Sequence, residues 1–152
     1  MKLNQRRTRN KMKAPYIMLI DENETDNFIF KTLVQQHRIT KQLYTTVDMD
    51  YALSYLSKCS ETDYPDWIFV DVNFRNMPRF GRFYDALKRI APKNKCQLML
   101  MSSTDDEKFF KPILMIDPSL KIHKKPVDPN MFQRLLDPDF DQYSPSGSKI
   151  AS

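Results

Sequence analysis

Five short apolar runs mark out the chain, and four of them end on a polar residue. YIMLI runs into Asp21-Glu22, WIFV into Asp71, LMLM into Ser102, and LKIHK to Lys125 before Pro126. Runs of this length bounded by turn residues read as buried strands. A further run at 43–47, rich in β-branched Thr45, Thr46 and Val47, reads as the second strand in chain order. Between the strands the apolar spacing changes to that of helices. Asn23 is placed to cap a helix carrying Phe28, Ile29, Leu33 and Val34, and Asp48 to cap one carrying Ala52, Leu53 and Leu56. Residues 73–80, with Met77-Pro78, read as a loop, and a helix with Phe83, Tyr84, Leu87 and Ile90 follows Gly81. Thr104 to Glu107 is a helix start with acids at the positive end of the dipole, and Pro112 is expected to cut that helix short. Asp128-Pro129 opens the last helix, through Phe132. The order is (βα)5, which predicts an α/β fold: a doubly wound, five-stranded parallel sheet covered on both faces.

Composition narrows the chemistry by exclusion. With only two glycines, Gly81 and Gly147, neither a phosphate-binding P-loop nor a dinucleotide-binding glycine turn can be written. Cys59 and Cys96 stand far apart, outside any metal or redox spacing, and read as free thiols. No apolar run approaches the ~20 residues of a membrane span. No signal-peptide core follows the basic start, so a soluble, cytoplasmic protein is expected. The net charge of +5 is uneven: Lys2, Arg6, Arg7, Arg9, Lys11 and Lys13 give the first 13 residues +6, and the rest carries −1. The expected organisation is a flexible basic arm over 1–14, one domain over 15–137 and a Pro/Ser-rich flexible tail over 138–152.

The four strand-end groups carry the candidate chemistry. In an open parallel sheet, ligands bind at the carboxyl edge. Asp21, Glu22 and Asp71 gathered there repel one another unless a cation intervenes. Mg²⁺ takes oxygen ligands and commonly binds one or two carboxylates together with a phosphate. Lys125 brings a mobile positive charge, and Ser102 a hydroxyl donor. A charge-compensated aspartate is a competent nucleophile toward phosphorus. Any one of these residues alone reads as an N-cap, a loop end or a turn. The ordered set of four, after the first, third, fourth and fifth strands, is what points to a site.

In that order the chain resembles the receiver domain of two-component response regulators. The motifs are I-D-E-N at 20–23, F-V-D-V-N at 69–73, L-M-S-S at 100–103 and K-K-P at 124–126. The resemblance covers 16–136 and implies a flavodoxin-like receiver fold. It implies that Asp71 accepts a phosphoryl group from a sensor histidine kinase or phosphotransfer protein. It further implies that Asp21, Glu22, Asp71 and the Asn73 carbonyl hold Mg²⁺, that Lys125 binds a phosphoryl oxygen, and that Ser102 hydrogen-bonds it. Too few residues follow the last helix for an effector domain, so output is expected through contacts with a downstream protein, as a monomer or a phosphorylation-dependent dimer. Such a protein is no enzyme beyond phosphorylating and dephosphorylating its own Asp71.

Three positions depart from the family pattern. Ile122 stands where an aromatic switch residue is usual, three positions before the lysine. The 73–80 loop is longer than the norm and carries Arg75 and Arg79. Ser103 replaces a small apolar residue. These departures keep a second reading open, a receiver-like interaction module that is not phosphorylated. A third, a nucleic-acid binder, would use the basic arm, which has no aromatic residues for base stacking. A metal hydrolase would need a further base or metal cluster, and His37 and His123 both read as structural.

Overall fold

A computed structural model describes residues 15–136 except 41, 74, 93–95 and 105; the arm expected over 1–14 and the tail expected over 138–152 lie outside the described residues. The chain order is β1 (Tyr16–Ile20), α1 (Glu24–Gln36), β2 (Gln42–Thr46), α2 (Met49–Lys58), a 3-10 turn (Glu61–Asp63), β3 (Trp67–Asp71), α3 (Met77–Ile90), β4 (Gln97–Ser102), α4 (Glu107–Ile116), β5 (Ile122–Lys124) and α5 (Pro129–Leu136). The strands form one parallel sheet in the order β2-β1-β3-β4-β5. The chain winds outward one way from β1 and returns across it to β3. This reversal opens a crevice at the carboxyl ends of β1 and β3.

Alternation along the strands sorts the core into two layers. Ile17, Leu19, Trp67, Phe69, Met99 and Met101 pack with Phe30 and Val34 of α1 and Phe132 of α5. Met18, Ile20, Ile68, Val70 and Leu100 pack instead with residues of α2, α3 and α4. In the first layer Phe30, Phe69 and Phe132 meet with ring centroids 5.3–5.5 Å apart. Such aromatic pairs contribute about 0.5–1.5 kcal/mol each beyond the area they bury.

The caps explain where the helices begin. Asn23 Oδ1 accepts from the Asp26 N–H, and Asp48 Oδ1 from those of Asp50 and Tyr51. Asp106 and Asp128 do the same for Lys108 and Asn130. Four local expectations are corrected. Helix α3 begins at Met77, so the expected 73–80 loop shrinks and Gly81 is helical. Pro78 falls in the first turn, where the missing N–H would have no intrahelical partner anyway. Pro112 does not stop α4, which runs four residues past it to Ile116. In α1 the core takes Phe30 and Val34, while Phe28 and Ile29 are 69% and 49% exposed. Three consecutive apolar residues leave the helix phase open, and packing against Phe69 decides it. Finally, β5 covers Ile122–Lys124 and does not begin at Leu120, where the LKIHK run starts, because the Leu120 N–H turns back onto the Asp117 carbonyl.

Helix α4 is fastened at its far end. The Tyr84 hydroxyl, on α3, donates to Asp117 Oδ2 at 2.5 Å, and Asp117 is the residue that closes α4. No described helix is long and apolar enough to cross a membrane.

Candidate phosphoacceptor site

Asp21 and Asp71 continue the alternation of Ile17, Leu19 and of Trp67, Phe69, and β1 and β3 are neighbours in the sheet. Both carboxylates are therefore drawn to the crevice, and both are buried. Lys125 follows β5 two strands away, and its backbone N–H donates to the Ser102 carbonyl at 2.8 Å. That bond fixes the base of a side chain long enough to cross the end of β4. Its Nζ lies 2.5 Å from Asp21 Oδ2, 2.8 Å from Asp71 Oδ1 and 2.9 Å from Asp26 Oδ2. An ammonium group has three N–H donors, and here three carboxylates share it.

The remaining contacts hold the acids in place. Asp21 Oδ1 accepts from the Asn23 N–H at 2.9 Å, and its carbonyl accepts from Asn27 Nδ2 at 2.9 Å. Asp71 Oδ2 receives a long contact of 3.4 Å from Asn73 Nδ2. Asn73 and Asn76 brace the turn reciprocally: each side-chain oxygen accepts the other's backbone N–H, at 2.8 and 2.9 Å. Asn76, fully buried, also donates through Nδ2 to the Asp71 carbonyl at 2.8 Å. The turn after Asp71 is thus built to hold that residue still.

Ser102 is buried, its Oγ accepting from the Thr104 N–H at 3.2 Å, and it stands one residue beyond Met101, the β4 partner of Asp71. Ile122 pairs with Leu100 and packs on the core layer shared by α2, α3 and α4. Ser103 is exposed at the edge of a cavity of about 220 Å³, which also touches Asp26, Lys125, Ile29 and Leu33.

Glu22 does not join the cluster. Its Oε1 lies 2.9 Å from an Arg79 guanidinium nitrogen, in a pair that is partly exposed on both sides. Among the described residues no group of three or more His, Cys, Asp or Glu is arranged to hold a metal ion. Nothing in the sequence marks Asp26, because an acid in the first turn of a helix looks like an ordinary dipole partner. Arg79 reads in the sequence only as part of a loop.

Charges in the cluster do not balance. Asp21, Asp26 and Asp71 face one ammonium, which leaves a surplus of two negative charges. Burial pushes the Asp21 carboxyl up from its ordinary value, and nearby Asp71 adds to this; the bonds from Lys125 and Asn23 offset only part. Burial also opposes charge on Lys125, but its bonds to Asp21, Asp71 and Asp26 prevail and hold the ammonium protonated. The donors are all hard oxygens with a formal surplus of negative charge, the chemistry a divalent cation such as Mg²⁺ takes, but they are gathered on Lys125 and not around a metal position.

The sheet order 2-1-3-4-5 and this carboxyl-edge cluster can be set beside known structures. A response regulator receiver protein from Dyadobacter fermentans superposes with a TM-score of 0.65 at 22% identity, over 79% of this chain and 93% of that one. A two-component response regulator from Cytophaga hutchinsonii gives 0.66 at 19% identity, over 86% and 98%. The fold is the response-regulator receiver fold. The signal receiver domain of an HD domain-containing protein from Pseudomonas fluorescens shares this receiver fold, with a TM-score of 0.60, 15% identity and coverage of 86% and 99%. No family model matches the sequence, and no curated protein matches it. Identities this low carry the receiver fold alone, so the chemistry rests on the residues just described.

Proposed function

We propose that this protein is a phosphoacceptor of a two-component phosphorelay, modified on Asp71 by a sensor histidine kinase or phosphotransfer protein. The observation that carries the reading is the Lys125 ammonium bridging Asp21 and Asp71 at the carboxyl edge of a receiver fold. In the reaction an Asp71 carboxylate oxygen attacks phosphorus of a phosphohistidine. The P–O bond forms as the P–N bond breaks, and the imidazole leaves with its electron pair and takes a proton. Asp21, Glu22, Asp71 and the Asn73 carbonyl would hold Mg²⁺, which supplies charge neutralisation at the phosphoryl oxygens. Glu22 must leave Arg79 to take part. Lys125 contributes the second positive charge at those oxygens. Ser102, on the neighbouring strand end, supplies a hydroxyl donor to the phosphoryl group.

Phosphorylation would then shift a population between two surface states that a downstream protein reads, in the cytoplasm where the kinase has its ATP. The test is incubation with Mg²⁺ and acetyl phosphate, or with beryllofluoride as a mimic. Wild type is expected to gain the mass of one phosphoryl group and to change its amide NMR spectrum, and Asp71→Asn to do neither. No change in wild type favours the second reading, an unphosphorylated interaction module, for which Glu22 held by Arg79 is the supporting observation.

A further inference from the structure

Three carboxylates hold Lys125, and they differ in what it costs to let go. Asp21 is 2% exposed, with its second oxygen and its carbonyl already bonded. The Asp71 side chain is 10% exposed. Asp26 is 38% exposed and lies on the first turn of α1, where the Asn23 cap fixes its backbone. Water can therefore replace Lys125 at Asp26 far more readily than at Asp21, whose carboxylate would be left buried without its cation. The neighbouring cavity gives the Asp26 carboxylate and Lys125 room to part.

A phosphoryl group on Asp71 replaces a single carboxylate charge with a group of about −2 and brings new acceptor oxygens. Lys125 has no fourth N–H to offer them. We propose that Asp26 is a positioning residue that tethers Lys125 in the resting protein and is the partner Lys125 releases when Asp71 is phosphorylated. Asp26 thereby sets how readily the phosphorylated state forms and how long it lasts. Its own negative charge acts in the same direction, opposing a dianionic group beside it. The inference rests on the phosphoacceptor reading for its consequence, but the tether itself can be tested without it.

Two measurements separate these parts. The first is hydrogen exchange of the Lys125 ammonium group, followed by NMR of the full chain with neither metal nor phosphate present. Exchange is expected to quicken in Asp26→Asn and to return toward the wild-type rate in Asp26→Glu, which keeps the charge. The second is beryllofluoride affinity at saturating Mg²⁺. It is expected to tighten about two- to fivefold in Asp26→Asn, the scale of a partly exposed ion pair, and to stay near wild type in Asp26→Glu. Unchanged exchange in Asp26→Asn, with an intact amide spectrum, overturns the tether. Quickened exchange with unchanged or weaker beryllofluoride binding overturns the release step. A wild type that binds no beryllofluoride removes the phosphoacceptor reading, while the exchange data still decide whether Asp26 holds the lysine.

Discussion

Asp21 and Glu22 are adjacent in the chain and end in opposite surroundings. Asp21 is buried and shares an ammonium with two other acids; Glu22 sits at the rim in a one-to-one pair with Arg79. The first arrangement is crowded, desolvated and short of positive charge. The second is balanced and open to water. A buried charge removed from its partners is expensive, whereas an exposed pair gains little by forming. Asp21 is held where no water can replace its partner, while Glu22 and Asp26 lie where water can substitute for theirs.

The strongest way to break the contrast is Lys125→Ala. It leaves Asp21, Asp26 and Asp71 together with no cation, and loss of one partner from a buried ion set costs about 3–5 kcal/mol. Urea denaturation should register that loss, and added Mg²⁺ should recover more stability in the variant than in wild type. Asn76→Ala comes next. It removes the Nδ2 bond to the Asp71 carbonyl and the acceptor for the Asn73 N–H, and an unsatisfied buried group costs about 1–3 kcal/mol. The amide resonances of 71–76 are expected to shift with the denaturation midpoint.

A smaller effect concerns a buried group that, unlike Asp21, shares no charge. His123 is buried, and among the described residues neither ring nitrogen has a hydrogen-bond partner. Burial, helped by Lys121, lowers its pKa from the ordinary 6.5. The unfolded chain then binds a proton that the folded one refuses. Stability is therefore lost as pH falls from 6.5 toward the folded value and is unaffected above that window. Urea midpoints should fall more in wild type than in His123→Leu between neutral and mildly acidic pH, since the other acids titrate alike in both. The smallest effect belongs to the rim. Arg79→Ala is expected to change stability by less than about 1 kcal/mol, yet to tighten Mg²⁺ binding by freeing Glu22, read by metal titration. A large loss of stability there would erase the distinction between rim and interior.

Much of this was legible in the chain. The strand sequence, the sheet class, the caps Asn23, Asp48 and Asp128, and the convergence of Asp21, Asp71 and Lys125 all follow from local pattern plus the parity of strand residues. What escaped depends on pairings that no spacing encodes. Arg79 meets Glu22 across 57 positions, and Asp26 meets Lys125 across 99. The start of α3 was misplaced because Met77-Pro78 suits a loop and a first helical turn equally. The phase of α1 was misplaced because Phe28, Ile29 and Phe30 are equivalent until Phe69 selects one of them.

Helix α4 has a mechanical character of its own. Pro112 removes the backbone bond to the Lys108 carbonyl near its middle, while the Tyr84 hydroxyl clamps Asp117 at its end. The other end begins at the Asp106 cap, a few residues from Ser102. Phe109 and Ile113, both fully buried, seat the helix on the core on either side of that missing bond. It is a beam held along one face and thinned at mid-span, where its hydrogen-bond ladder resists bending least.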